Sequence, residues 1–296
     1  MRKSFAAVAA LALFAGPAFA QTDYSKVEEQ VTDLGHNMYA LTGAGGNTTV
    51  AVGSDGIIVV DTQFAPLYDK IRAKIKSLSP LPIKYVILSH YHGDHVGGAA
   101  SFIKDGVPLV STAQLVVRMK APPVQANGQP GVPAPDDAVP KQTYSGDSYE
   151  VKVGGVTAQL HHPAPAHTDG DSIVMWPAAN VISTGDIVGS VAYPNIDVLV
   201  GGGIDGMIAA TTWIIDHADA STKIVPGHGP VTDKNGVIAY RTMLQTARDR
   251  IAKAKAEGQS EDQVATGPLM ADLNAKWTAP GSPPPRFPRL VYQSVK

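Results

Sequence analysis

Within six residues, His90-Tyr91-His92-Gly93-Asp94-His95 place three imidazoles and a carboxylate directly behind an apolar run at residues 83–88. Pro80 and Pro82 stop whatever precedes that run, so it reads as a buried strand, and the polar cluster falls at its carboxyl end, where open α/β sheets place ligands. Imidazole and carboxylate suit zinc and similar divalent ions, and a short loop fixes several such ligands at little ordering cost. A solvated polar turn is the plain alternative; the buried strand and the histidines and aspartates that follow favour a built metal site. The sequence contains no cysteine, so such a site uses nitrogen and oxygen only, and no disulfide forms even in an oxidising compartment.

The rest of the chain supplies two β-rich halves. Short β segments at 38–42, 48–52 and 57–60, punctuated by Gly45-Gly46-Asn47 and Ser54-Asp55-Gly56, predict an antiparallel meander. Leu67, Ile71, Ile75 and Leu78 follow helical spacing and lead into the strand at 83–88, a βαβ-like unit, with a helix start expected over 96–102. Further strands are expected at 149–153, 156–162, 172–176 and 181–183, then helices at 205–217 and 237–255 flanking a short strand at 223–225. This order predicts an α/β (α+β) chain of two packed sheets with helices outside. Residues 121–140, rich in Pro, Gly and Asn, read as a long surface loop, either an insertion or a wall of the binding site. The Pro-rich stretch 279–286 reads as a stiff linker to a C-terminal helix at 287–295.

Arg2 and Lys3 precede an apolar run at 5–14 too short to span a bilayer, and Ala18-Phe19-Ala20 offers a small-x-small cleavage site. Residues 1–20 are therefore expected to be a signal peptide cleaved after Ala20, leaving 21–296 as a single periplasmic or secreted domain with no membrane segment. The formal charge of −2 is ordinary, and no basic block points to nucleic acid. A small-molecule substrate is the expected partner. No Gly-x-Ser-x-Gly elbow or P-loop offers rival chemistry.

Residues 89–95 resemble the His-x-His-x-Asp-His signature of the metallo-β-lactamase superfamily. The segment 166–172 resembles the family's second histidine segment, Ser183-Thr184-Gly185-Asp186 its Gly-Asp strand end, and Pro226-Gly227-His228-Gly229 its final histidine loop. The likeness covers roughly residues 36–255 and implies a four-layer αββα sandwich with the site at one edge of the paired sheets. It implies His90, His92 and His167 on a first metal, Asp94, His95 and His228 on a second, and Asp186 bridging them. Enzymes resembling glyoxalase II carry the same seven-ligand set. Two divalent ions are implied, zinc being favoured by the histidine count, with iron and manganese compatible with the same ligand types. Asp61 resembles the family's structural aspartate and is expected to support a ligand rather than bind metal. Either Asp169 or Asp171 is expected to cap the turn after His167. His36, His161, His162 and His217 are read as surface or packing residues.

The resemblance implies a hydrolase in which water ionised between two cations attacks the carbonyl of a cyclic amide or ester, lactam- or lactone-like, or of a thioester. Asp94 would orient that water and pass its proton to the leaving group. Several departures from the family's branches narrow this. A glutathione-binding C-terminal region and the extra domain of the nuclease branch are not expected here. The well-known β-lactamases have cysteine or serine at the place of Asp186, and several have a substrate-anchoring lysine at the place of Gly189. The alternatives are an authentic periplasmic β-lactamase conferring antibiotic hydrolysis and a non-catalytic periplasmic metal-binding protein.

Overall fold

Adjacent residues of the apolar strands face different cores. Along Ile57–Val60 every side chain is buried; Ile57 and Val59 join one apolar cluster while Ile58 and Val60 join another. A strand covered on both faces needs no polar face, which is why these segments read as unbroken apolar runs. The computed structural model describes residues 23–124, 129–278 and 286–295. The signal-peptide reading of residues 1–20 and nearly all of the Pro-rich stretch 279–286 lie outside the described residues, as do 125–128 of the long loop.

Seven strands form the first sheet in chain order: β1 (Gln30–Gly35), β2 (Met38–Thr42), β3 (Thr48–Val52), β4 (Ile57–Val60), β5 (Ile83–Ile87), β6 (Leu109–Thr112) and β7 (Gln142–Tyr144). The pairs from β1 to β4 are antiparallel and those from β4 to β7 parallel. Helices α1 (Tyr68–Leu78), α2 (Gly93–Val96), α3 (Ala99–Lys104) and α4 (Ala113–Lys120) belong to this half. The second sheet runs β12-β11-β10-β9-β8, built from β8 (Ser148–Val153), β9 (Val156–His161), β10 (Ile173–Trp176), β11 (Val181–Ser183) and β12 (Lys223–Val225). Its helices are α5 (Ile204–His217), α6 (Lys234–Ala256), α7 (Glu261–Thr266), α8 (Ala271–Trp277) and α9 (Phe287–Ser294).

Three apolar clusters give the layers. Ile58, Val60 and Ile87 of the first sheet meet Leu160, Val174 and Trp176 of the second in the middle. Val59 and Val86 pack outward against Ile71, Ile75 and Phe102 of the first helical layer. Ile182 and Ile224 pack outward against Met207, Ile214, Leu244 and Val291 of the other. Helix, sheet, sheet, helix is the order the sequence predicts. The expected strands and long helices are present within a residue or a few of their predicted ends. One expectation needs adjustment, and β1, β6, α4 and β7 are elements the sequence did not announce. The helix expected over 96–102 is broken at Gly97-Gly98, where a Cβ would lie 2.6–2.8 Å from backbone atoms of residues 62–65 and 93, so the loop after β4 packs there instead. Strand β1, with four of its six residues exposed, gave no apolar alternation to read.

Trp176 is 1% exposed at the centre of the inter-sheet cluster, its indole N–H donating to Ser183 Oγ at 3.3 Å. Trp176→Ala should cost about 3–5 kcal/mol through the cavity it leaves, measured as a lowered urea midpoint at fixed metal concentration.

Candidate metal centre

One end of the sandwich collects the polar side chains. Strand β5 runs directly into Ser89, His90 and His92, and α2 adds Asp94 and His95; the β9–β10 loop brings His167, while the segments after β11 and β12 bring Asp186 and His228. The ligand atoms of His90, His92, His167 and Asp186 lie within 4.8 Å of one another, and so do those of Asp94, His95 and His228. Asp186 faces both groups. Its Oδ2 is 3.8 Å from His90 Nε2 and 3.6 Å from His167 Nε2, whereas Oδ1 is 3.1 Å from His95 Nε2 and 3.4 Å from His228 Nε2. The structure thus gathers all seven residues expected from the sequence.

The donor set fits divalent cations. His90 Nε2 and Asp186 Oδ1 are buried without a hydrogen-bond partner, although nearly all buried polar atoms have one. His92 Nδ1 stands 2.9 Å from His167 Nε2, and His95 Nε2 stands 3.5 Å from His228 Nε2. Facing ring nitrogens at such distances need a proton or a cation between them, and imidazole with carboxylate is the ligand chemistry of zinc and its neighbours. Burial pushes His90 well below the usual histidine range and His167 down to about 4, so both are neutral, with lone pairs available to a metal. Burial would raise Asp186, but His95 and His228 outweigh it and hold the carboxylate well below its usual range. His228 is pushed up to about 9, by Asp186 and then by Asp94, whose Oδ2 is 3.1 Å away.

The ligands are held from behind. Buried Asp61 accepts from Ser89 N at 2.7 Å and from Ser89 Oγ at 2.6 Å, and its Oδ2 lies 2.7 Å from His95 Nδ1. This leaves His95 Nε2 pointed into the site and anchors the loop that carries His90, the supporting place the sequence suggested. His167 Nδ1 is 2.7 Å from the Asn195 carbonyl. Asp171 closes the turn after His167, accepting from the backbone N–H of His167 at 2.8 Å and of Thr168 at 3.0 Å. Asp169 does not cap that turn; it pairs with Arg118 and accepts from Gln114. His161 stacks on Trp213, which stacks on His217, and His162 Nδ1 lies 2.8 Å from the Asp171 carbonyl, so these rings stand apart from both ligand groups.

Sequence reading missed two supports. Asp197 Oδ2 lies 3.0 Å from His92 Nε2 and also accepts from the Tyr91 hydroxyl. Asn47 donates to the carbonyls of Pro226 at 2.9 Å and Gly229 at 2.8 Å, clamping the His228 loop from the other sheet. Neither sits in a pattern that announces such a role; Gly45-Gly46-Asn47 reads only as a turn between strands. A Cβ on Gly46 would meet the His95 ring at 2.1 Å, and one on Gly227 would meet Asp186 Oδ1 at 2.0 Å. Two cavities open on the centre. One of ≈ 300 Å³ is lined by Asp94, Asp186, His228 and residues 188–195; the other, of ≈ 620 Å³, is shared by His92, Asp197, the long loop and α9. The long loop therefore does reach the site's surroundings.

The family model described as Metallo-beta-lactamase superfamily matches residues 41–236. A Beta-lactamase-like protein 2 homolog of Caenorhabditis elegans is 29% identical over 216 residues, 71% of this chain and 64% of that protein. The 2,4-dinitroanisole O-demethylase subunit alpha of Nocardioides sp. (strain JS1661) is 28% identical over 51% of this chain and 44% of its own. The chain thus spans less than two thirds of either relative. Metallo-beta-lactamase type 2 of Bacillus cereus is 23% identical over 72% of this chain and 78% of its own. Among solved structures, the DIM-1 metallo-beta-lactamase superposes with a TM-score of 0.61 at 18% identity, covering 75% of this chain and 100% of that one; at this identity the likeness is one of fold.

Asp61→Ala should weaken metal uptake about 10- to 100-fold by freeing His95 and Ser89, read by titration against a chelating dye. In the metal-free protein the raised His228 value, about 9 against an ordinary 6.5, means that this ring's contribution to stability is full below pH 6.5 and is lost as pH rises through 9. A cation must displace its proton. Metal affinity should therefore climb between pH 6.5 and 9, with proton release at pH 7 seen by calorimetry in buffers of different ionisation enthalpy.

Proposed function

The chain belongs to the metallo-beta-lactamase superfamily of hydrolases, and on that premise we propose that it uses two divalent cations, zinc being favoured, to hydrolyse a cyclic amide, a cyclic ester or a thioester. The observation that carries this reading is Asp186, whose two carboxylate oxygens face two separate groups of ligand atoms. His90, His92 and His167 would hold one cation, Asp94, His95 and His228 the other, and Asp186 both. Cations bound there would polarise a carbonyl and bring the ionisation of water near neutral pH.

The chain's own residues do the remaining work. Burial would raise Asp94, but His228 outweighs it and holds the carboxyl below its usual range, so at neutral pH it is ionised at the wall of the smaller cavity. Its Oδ2 takes a proton from water and returns it to the departing nitrogen, oxygen or sulfur. Asp61 and Asp197 fix the rings of His95 and His92, so the site needs little rearrangement to act. Three residues past Asp186 stands Gly189, which offers no side chain to a penicillin carboxylate; hence lactones, thioesters and other lactams rank ahead of penicillins. An exported location is part of the proposal, on the strength of the basic start and Ala-x-Ala ending of residues 1–20.

The test joins elemental analysis of purified protein to a panel of a chromogenic cephalosporin, a homoserine lactone and a thioester. Two bound metals with turnover of at least one compound is the expected result; two metals with no turnover of any would support a binding protein instead. Asp94→Asn should lower kcat about 10²- to 10⁴-fold in protein that still holds two metals, and undiminished kcat in such protein would remove the proton-transfer role.

A further inference from the structure

Among the described residues six large apolar side chains are exposed, and their distribution is uneven. Val124, Val132 and Leu199 line the ≈ 620 Å³ cleft beside His92, and Val191 lines the smaller cavity next to it. Exposed apolar surface gathered at one place marks a surface that something else covers, and a cleft of this volume is of the size that takes a small organic molecule. Its walls come from the two described arms of the long loop, from the segment after Asn195, and from Arg286 and Leu290 at α9.

Every charged side chain in this cleft has a polar partner save one. Arg118 pairs with Asp169, and Asp197 accepts from both His92 and Tyr91. Arg286 lines the same cleft and makes no ion pair or side-chain hydrogen bond among the described residues. A cation without a counter-ion, set among valines, leucines and prolines, complements a molecule that carries its own anion at the end of an apolar stretch. Arg286 and Leu290 also lie some fifty residues beyond the region, residues 41–236, that the superfamily model matches.

We propose that the cleft holds the apolar arm of the substrate and that Arg286 pairs with an anionic group on that arm, away from the bond that is broken. The substrate class is then an amphipathic acyl compound, an ester, lactone, amide or thioester with a carboxylate or similar anion on its chain. This deepens the hydrolase reading and rests on it, because His92 is the residue that joins the cleft to the metal centre.

Calorimetry on the metal-loaded full chain tests it without turnover, using decanedioate and decanoate as probes. Each can put one carboxylate at the metal centre, and only the first has a second for Arg286. Decanedioate should bind about fivefold more tightly, the range of an exposed ion pair, and Arg286→Gln should bring the two to equal affinity. Leu199→Ser, at a position 66% exposed and so harmless to folding, should weaken both probes alike. Equal affinities in the wild type, a preference that survives Arg286→Gln, or no binding of either probe would overturn the proposal. So would sedimentation showing that the patch is covered by a second copy released by Leu199→Ser. Failure of the hydrolase reading shows separately, as absent turnover in the substrate panel.

Discussion

Asp186 and His95 approach each other from different sheets, the carboxylate at the end of β11 and the imidazole just after β5, and meet with an oxygen 3.1 Å from a nitrogen. His95 is fully buried and Asp186 only slightly exposed, so neither could stay there alone: an unpaired charge at such depth costs far more than the packing around it returns. Their meeting requires the sheets to be stacked in one register, with the strand ends level. Behind His95 stands Asp61, and behind Asp186 the close passage of Gly227, where no side chain would fit. The inter-sheet core of Ile58, Ile87, Val174 and Trp176 fixes the stacking that this pair then reports.

Most of the architecture was legible because both sheets are covered on both faces. Runs such as Ile57–Val60 admit little but strand, and Leu67, Ile71, Ile75 and Leu78 little but helix. Strand β1 was hidden by its exposed edge, and β6, α4 and β7 by the shortness of their apolar signals. The short helices α7 and α8 owe their places to packing near α9 and Trp277 rather than to any periodicity of their own.

Of the candidate site, His90, His92, Asp94 and His95 were legible because they crowd into a short polar segment at an apolar strand end, which has no purpose in packing, whereas His167, Asp186 and His228 were placed by the resemblance of their segments to the superfamily's. The residues that orient them were less so. Asp61 could be placed because, just past a strand, it resembles the family's structural aspartate; Asp197 and Asn47 could not, because their partners lie 105 and 179 or more positions away and nothing local distinguishes them from surface polar residues. The contrast between Asp169 and Asp171 makes the same point: two aspartates two residues apart, one tying the His167 turn and one held by Arg118, separated only by which way the loop folds.

Neither sheet borrows a strand from the other half of the chain: β1 to β7 end at Tyr144, and β8 begins at Ser148. The residues between, Ser145, Gly146 and Asp147, are exposed. His90, His92, Asp94 and His95 therefore belong to one contiguous piece of polypeptide, and His167, Asp186 and His228 to the other. Cleavage at 145–147 would divide the molecule into two fragments, each owning a complete sheet and neither owning a complete centre, so that metal capture by the mixture would become a direct signal of their reassociation.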